Sequence, residues 1–205
     1  MERYLMTHSL LSSWLYALKD NPYEVAGEDD KLTAYDEFLL TLRRIQTPTN
    51  EAMQKGIDFE DLVTRIVGGY DATYHKWYDP AAKIAGIVKG GVLQCRATKQ
   101  TVIRNIPVFL YGRIDALKAG VVHDIKFSGS YETGKYISST QHPMYMELVP
   151  QATAFTYLVS NGEHMWPETY TREEIPSIYP TISGFFDWLD IRGLMSLYKE
   201  KWQAL

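Results

Sequence analysis

Two runs rich in Val, Ile, Phe and Tyr, Ile106–Leu117 and Val121–Phe127, are separated by only Lys118-Ala119-Gly120. No other feature constrains the fold as tightly, because a connection this short joins two strands only as an antiparallel hairpin. Side chains alternate across a strand, so Asp124 and Lys126, two residues apart, project from one face. Asp115 stands about as far from the turn on the partner strand. Three ionisable groups then converge. Two carboxylates within reach of each other repel unless positive charge lies between them, and a divalent cation with an adjacent ammonium meets that demand. Charged residues that merely flank a hairpin turn as a solvated face produce the same string.

The surrounding residues narrow the choice. The segment from about Asn50 to Val67 reads as a helix in which Met53, Ile57, Glu60, Val63 and Val67 recur at spacings of four, three, three and four. Phe59, Leu62 and Ile66 widen the apolar face, so Glu60 points either toward the interior, where an ionised group needs a partner, or to the stripe's edge, reaching water or Arg65. Beyond Lys126 a polar stretch leads to Gln141-His142-Pro143-Met144-Tyr145, where Gln141 and Tyr145 share a helix face and Pro143 is tolerable in the first turn.

Asp115, followed nine positions later by Asp124-Ile125-Lys126, resembles the D…(D/E)xK core of the PD-(D/E)xK nuclease superfamily. The first Asp follows Ile114 rather than Pro, within a Gly112-Arg113-Ile114-Asp115 string like the GxxD form of the RecB-like and phage exonuclease branches. Gln141 and Tyr145 resemble the QxxxY signature that follows the lysine in RecB-like nucleases; a rival is Gln151, whose position four residues on is Phe155. Glu60 falls where this superfamily commonly carries an acidic residue, on the helix preceding the sheet. The likeness extends from about Met53 to Val159.

The resemblance implies an α/β fold with a restriction-endonuclease-like core, a mixed β-sheet flanked by helices. It also implies a metal-dependent deoxyribonuclease, with an exonuclease of phage or bacterial DNA recombination, repair or processing favoured. Glu60, Asp115, Asp124 and the backbone carbonyl of Ile125 would bind one or two Mg²⁺ or Mn²⁺ ions. Lys126 would orient or help deprotonate the attacking water, and Gln141 and Tyr145 would hold the site. The alternative is a catalytically inactive nuclease fold that binds DNA or a protein partner.

The 205 residues, 45% of them hydrophobic, suit one domain, with a core over about residues 53–171 and helices packed on it from both ends. No apolar run approaches the roughly 20 residues of a membrane span, and the start lacks the basic region and cleavage site of a signal peptide, so a cytoplasmic location is expected. A lone Cys95 excludes an internal disulfide and the four-cysteine iron–sulfur cluster carried by some RecB-like nucleases. Net charge is −4, yet residues 81–114 carry Lys83, Lys89, Arg96, Lys99, Arg104 and Arg113 with no acid. Arg96, Lys99, Arg104 and Arg113 are therefore candidate phosphate contacts, or else one charged face of an amphipathic meander.

Elsewhere the reading is coarser. Thr7 caps a helix running to about Lys19 that ends at Asn21-Pro22; an acidic loop covers 20–31, and a second helix carries Leu32, Tyr35, Phe38, Leu39 and Leu42. A short helix is expected near Pro80–Ile84, with His75, Trp77 and Tyr78 either stacking on bases or plugging the core. Val92–Ile103 reads as a strand, and Ala154–Ser160 and His164–Thr171 as a hairpin about a two-residue Asn161-Gly162 turn. Thr181–Trp202 reads as one helix that docks on the core or serves as an oligomer contact. A second copy of the chain or a recombination protein stands beside DNA as an expected partner.

Overall fold

The computed structural model describes residues 2–19 and 32–204. Strand β1 (Arg3–Thr7) runs into helix α1 (His8–Lys19), and helices α2 (Ala34–Leu42), α3 (Glu51–Val67) and α4 (Tyr78–Val88) follow. Strands β2 (Val92–Ile103), β3 (Ile106–Lys118) and β4 (Val121–Phe127) lead to helix α5 (Gln141–Leu148). Strands β5 (Ala154–Ser160) and β6 (Met165–Thr171), helices α6 (Tyr179–Ile191) and α7 (Met195–Lys201) and the two-residue strand β7 (Gln203–Ala204) complete the chain. The expected acidic loop at 20–31 and the Asn21-Pro22 helix stop lie outside the described residues.

Local chemistry accounts for the boundaries. Thr7 Oγ1 accepts from the Leu10 amide at 3.2 Å, and Thr33 and Asp36 form a capping box that starts α2. Asn50 Oδ1 accepts from the Met53 amide at 2.8 Å and starts α3. The expected meander is present: β2 and β3 pair antiparallel from Ile103↔Ile106 to Val92↔Leu117, and β3 and β4 from Lys118↔Val121 to Ala116↔His123. Both connections are two-residue turns with positive φ at each position, Arg104-Asn105 (50° and 60°) and Ala119-Gly120 (50° and 77°), the conformation whose twist matches paired strands.

The sheet is mixed. Strand β1 lies parallel to β3, from Tyr4↔Val108 to Thr7↔Tyr111, and β5 lies parallel to β4 and antiparallel to β6. Since β2 occupies the whole of one edge of β3, β1 and β4 share the other. The sheet forks between them, over residues 112–115 of β3. One core, with Leu10, Trp14, Phe38, Tyr145, Phe155 and Phe185, joins the sheet to α1, α2, α5 and α6; a smaller one, with Phe59, Leu62, Ile84, Val88, Ile125 and Leu158, joins it to α3 and α4.

Three expectations are corrected, and one strand is added. Met53 and Ile57 are 56% and 54% exposed, so the α3 stripe is not buried along its length; the helix meets the smaller core only from Phe59 onward. The last segment is two helices, separated where Gly193 takes φ +68°. The Asn161-Gly162 connection is a four-residue loop between the pair Ser160↔Met165, in which Asn161 Oδ1 takes the amides of Glu163 and His164 and so competes with a tighter turn. Strand β1 was not anticipated, because its five residues merge with the apolar pattern of the helix that follows. No described helix is long and apolar enough to cross a membrane.

Candidate active site at the sheet fork

At the fork the ladder between β3 and β4 stops at Ala116↔His123, and the next side chain on β3, Asp115, takes over. Its Oδ2 accepts the Ile125 backbone amide at 2.8 Å. Asp124, on the other arm, is only 2% exposed, and Asp115 8%. Gln141, the first residue of α5, donates its side-chain amide to Asp124 Oδ1. Lys126 Nζ lies 2.7 Å from Asp124 Oδ2, an oxygen that no hydrogen bond of good geometry satisfies, so the interaction is an ion pair. One turn along α5, the Tyr145 hydroxyl donates to the Arg113 carbonyl at 2.8 Å and ties the helix to β3 within the fork.

These residues line a cleft of about 320 Å³ together with Glu60, Arg113, Ile125, Thr7, His8 and Ser9. Glu60 reaches it from α3, and its Oε1 accepts from Gln94 Nε2 at 2.7 Å and Arg113 Nη2 at 3.2 Å. The sequence alternatives therefore resolve toward the cleft: Glu60 bonds Arg113 rather than Arg65, which pairs with Asp61. Gln141 is in the site, whereas Gln151 is exposed beyond α5.

The electrostatics follow from burial. Desolvation pushes Asp115 up to about 8, with repulsion from Asp124 and then Glu60 adding to it. For Lys126 burial acts to lower the pKa, but Asp124 and Asp115 prevail and raise it, so the side chain is an ammonium. Lys126 pairs with Asp124 and Arg113 with Glu60, so Asp115 is the buried carboxyl left without a cation of its own. The donors are hard oxygens, two Asp carboxylates, Glu60 and the Ile125 carbonyl, and that set suits Mg²⁺ or Mn²⁺. Among the described residues no three acidic, His or Cys side chains already converge on one point; Glu60 is turned toward Gln94 and Arg113.

The candidate phosphate contacts separate. Arg113 lines the cleft, and exposed Arg96 lies beside it across the β2–β3 register. Lys99 is tied to Glu147 of α5. Arg104, in the turn at the far end of the hairpin, pairs with Asp187 at 2.8 Å and Asp190 at 3.4 Å of α6. Trp77, half-buried, packs against Phe127 and Phe59 at the margin of the smaller core, at centroid distances of 4.7 and 6.0 Å.

His8 escaped sequence reading. It opens α1, packs edge-on against Tyr145 at 5.5 Å, and is lowered to about 4 by burial and by Lys126, so it faces the cleft as a neutral imidazole. A single His at a helix start gives no spacing signal; only the parallel pairing of β1 with β3 carries it to the fork.

No family model and no curated protein matches this chain. Among the solved structures that it resembles is SSO0001, with 17% identity and a TM-score of 0.44 over 76% of this chain and 85% of that chain.

Proposed function

We propose that the chain is a Mg²⁺- or Mn²⁺-dependent nuclease of the PD-(D/E)xK kind that hydrolyses DNA phosphodiester bonds from free ends. The observation that carries this reading is the buried Asp115–Asp124 pair, with Lys126 beside it and Gln141 holding Asp124, in an open cleft at the fork of the sheet. A surface ion-pair network has no need to bury two carboxylates against one ammonium, and burial without compensation is costly.

Asp115, Asp124, Glu60 and the Ile125 carbonyl would hold the cation, which when bound polarises the scissile phosphate and acidifies a bound water. Lys126 donates from Nζ to the attacking water and to the phosphate oxygens, fixing the line of attack. Gln141 holds Asp124 by Oδ1 and so fixes where its other oxygen, ion-paired with Lys126, lies, and Tyr145 holds α5 to β3 so that this constraint is rigid. Arg113, and Arg96 beside it, offer phosphate contacts along the approach to the cleft.

The test is incubation of the purified chain with end-labelled linear DNA and closed circular DNA, with and without Mg²⁺. Mg²⁺-dependent loss of label from linear DNA, with circles intact, is expected. Binding without cleavage in every condition supports a non-cleaving DNA-binding module instead, and efficient cutting of circles at defined positions overturns the requirement for ends.

A further inference from the structure

Strands β2 and β3 change allegiance at one level of their hairpin. Cys95 and Ala97 pack with the larger core while Leu93 packs with the smaller; on the partner strand Ile114 belongs to the larger core and Ala116 to the smaller. Gln94 and Asp115 occupy the level between, flanked by the pairs Leu93↔Ala116 and Cys95↔Ile114. Gln94 makes the change with φ +51°, a left-handed conformation that strains an L side chain and that glycine adopts freely.

The strained position keeps its side chain, and that side chain has a specific task. Gln94 Nε2 donates to Glu60 Oε1 at 2.7 Å; a carboxylate only accepts, so the amide nitrogen must face it. Arg113 donates to the same oxygen, and among the described residues Oε2 takes no hydrogen bond. Strain of this kind persists where the surrounding structure over-determines it, and it clusters at functional sites.

We infer that Gln94 is a positioning residue for Glu60, holding that carboxylate by one oxygen on the wall of the cleft so that the other is presented to the cation; this rests on the nuclease reading above. Hydrogen bonds of this outer kind fix the orientation of a metal-binding carboxylate, and their loss typically costs about 10–100-fold in metal affinity.

Calorimetric titration of Mn²⁺ into the full chain tests the role. Gln94→Met keeps the length and the backbone strain and removes the amide; Gln94→Gly removes both. Both variants are expected to bind Mn²⁺ about 10–100-fold more weakly than the parent, with Gln94→Met melting close to the parent and Gln94→Gly at or above it. Neither is expected to weaken Mn²⁺ binding further when Glu60→Gln is already present. Parent-like affinity in both variants, or losses that add to those of Glu60→Gln, overturns the role of Gln94 and leaves the metal reading standing. A parent chain that binds no Mn²⁺ overturns both.

Discussion

Asp115 Oδ2 accepts the backbone amide of Ile125, the residue that separates Asp124 from Lys126. A side chain on β3 thus replaces the main-chain partner that β4 loses when the ladder ends, and the same bond fixes one carboxylate against the arm carrying the other. Continuing the ladder would have filled this space with backbone. Ending it leaves a cleft whose walls are the polar groups of two diverging strands.

The buried pair gives the metal-free protein a distinctive dependence on pH. Asp115, raised to about 8, keeps a proton in the folded state that the unfolded chain loses above about 4, so its contribution to stability falls as pH rises through that window. His8 and His142, lowered to about 4 chiefly by burial, act in the opposite sense. The unfolded chain takes up protons on them below about 6.5 while the folded chain does not, so stability falls as pH drops from there. Burial shifts His123 in the same direction. Stability should therefore peak near pH 6.5 and decline toward pH 8, and Asp115→Asn should abolish the alkaline decline while keeping the acid one. Thermal melts in chelator-treated buffer measure this; an unchanged melting temperature from pH 6.5 to 8 in the parent contradicts the shared burial.

Gly112 should tolerate no Cβ. An Ala there would place Cβ 2.6 Å from Tyr145 Cε1 and 2.8 Å from Leu148 Cδ1, and the Tyr145 ring is anchored through its hydroxyl to Arg113. Gly112→Ala should cost about 1–3 kcal/mol, as overpacking does, and displace α5 with Gln141. Tyr145→Ala should relieve the Tyr145 part of the clash and leave only the end of the Leu148 side chain to shift, so the double variant should be more stable in urea than the two single losses predict by addition.

The packing of Tyr145 on Gly112 also shows what the sequence made legible. The glycine of the Gly112-Arg113-Ile114-Asp115 string and the tyrosine four residues after Gln141 were recognisable as two separate patterns, and their packing against each other is one physical reason for both. The hairpin was readable because its alternation and its turn are local, as was α3, with its cap at Asn50. Gln94 was not, since nothing in Leu93-Gln94-Cys95 announces a left-handed residue inside a strand. His8 was hidden because its place in the cleft depends on a parallel pairing about a hundred residues distant in sequence. The exposure of Met53 and Ile57 was missed because periodicity identifies a helix face without saying where its partner ends.

The basic residues should divide in function as they divide in space. Arg104→Ala removes an exposed pairing with Asp187 and Asp190, costing less than about 1 kcal/mol of stability and leaving DNA affinity unchanged. Arg113→Ala and Arg96→Ala should each weaken binding and reduce the slope of log affinity against log salt by about 0.9 for each phosphate no longer neutralised. Filter binding or fluorescence anisotropy across a salt series separates the two groups, and an Arg104→Ala effect as large as that of Arg113→Ala would move the DNA path away from the cleft.

Metal binding and chemistry should come apart when the cleft residues are changed singly. Asp124→Asn removes a negative charge from the cation's surroundings, and Asp115→Asn does so while an amide oxygen can still accept from Ile125. Both should lose the Mg²⁺-dependent rise in melting temperature along with cleavage. Lys126→Ala takes away the ammonium now paired with Asp124 Oδ2. The freed oxygen and the absence of a competing cation should leave Mg²⁺ binding intact or tighter, while turnover falls by about 10²–10⁴-fold with the loss of the group proposed to orient the water. Glu60→Gln should resemble the Asp variants, since Glu60 lines the same cleft. Calorimetric Mg²⁺ titration beside a cleavage assay distinguishes these patterns. A Lys126→Ala chain with near-parental turnover would remove the lysine from the chemistry and with it the nuclease assignment of the site.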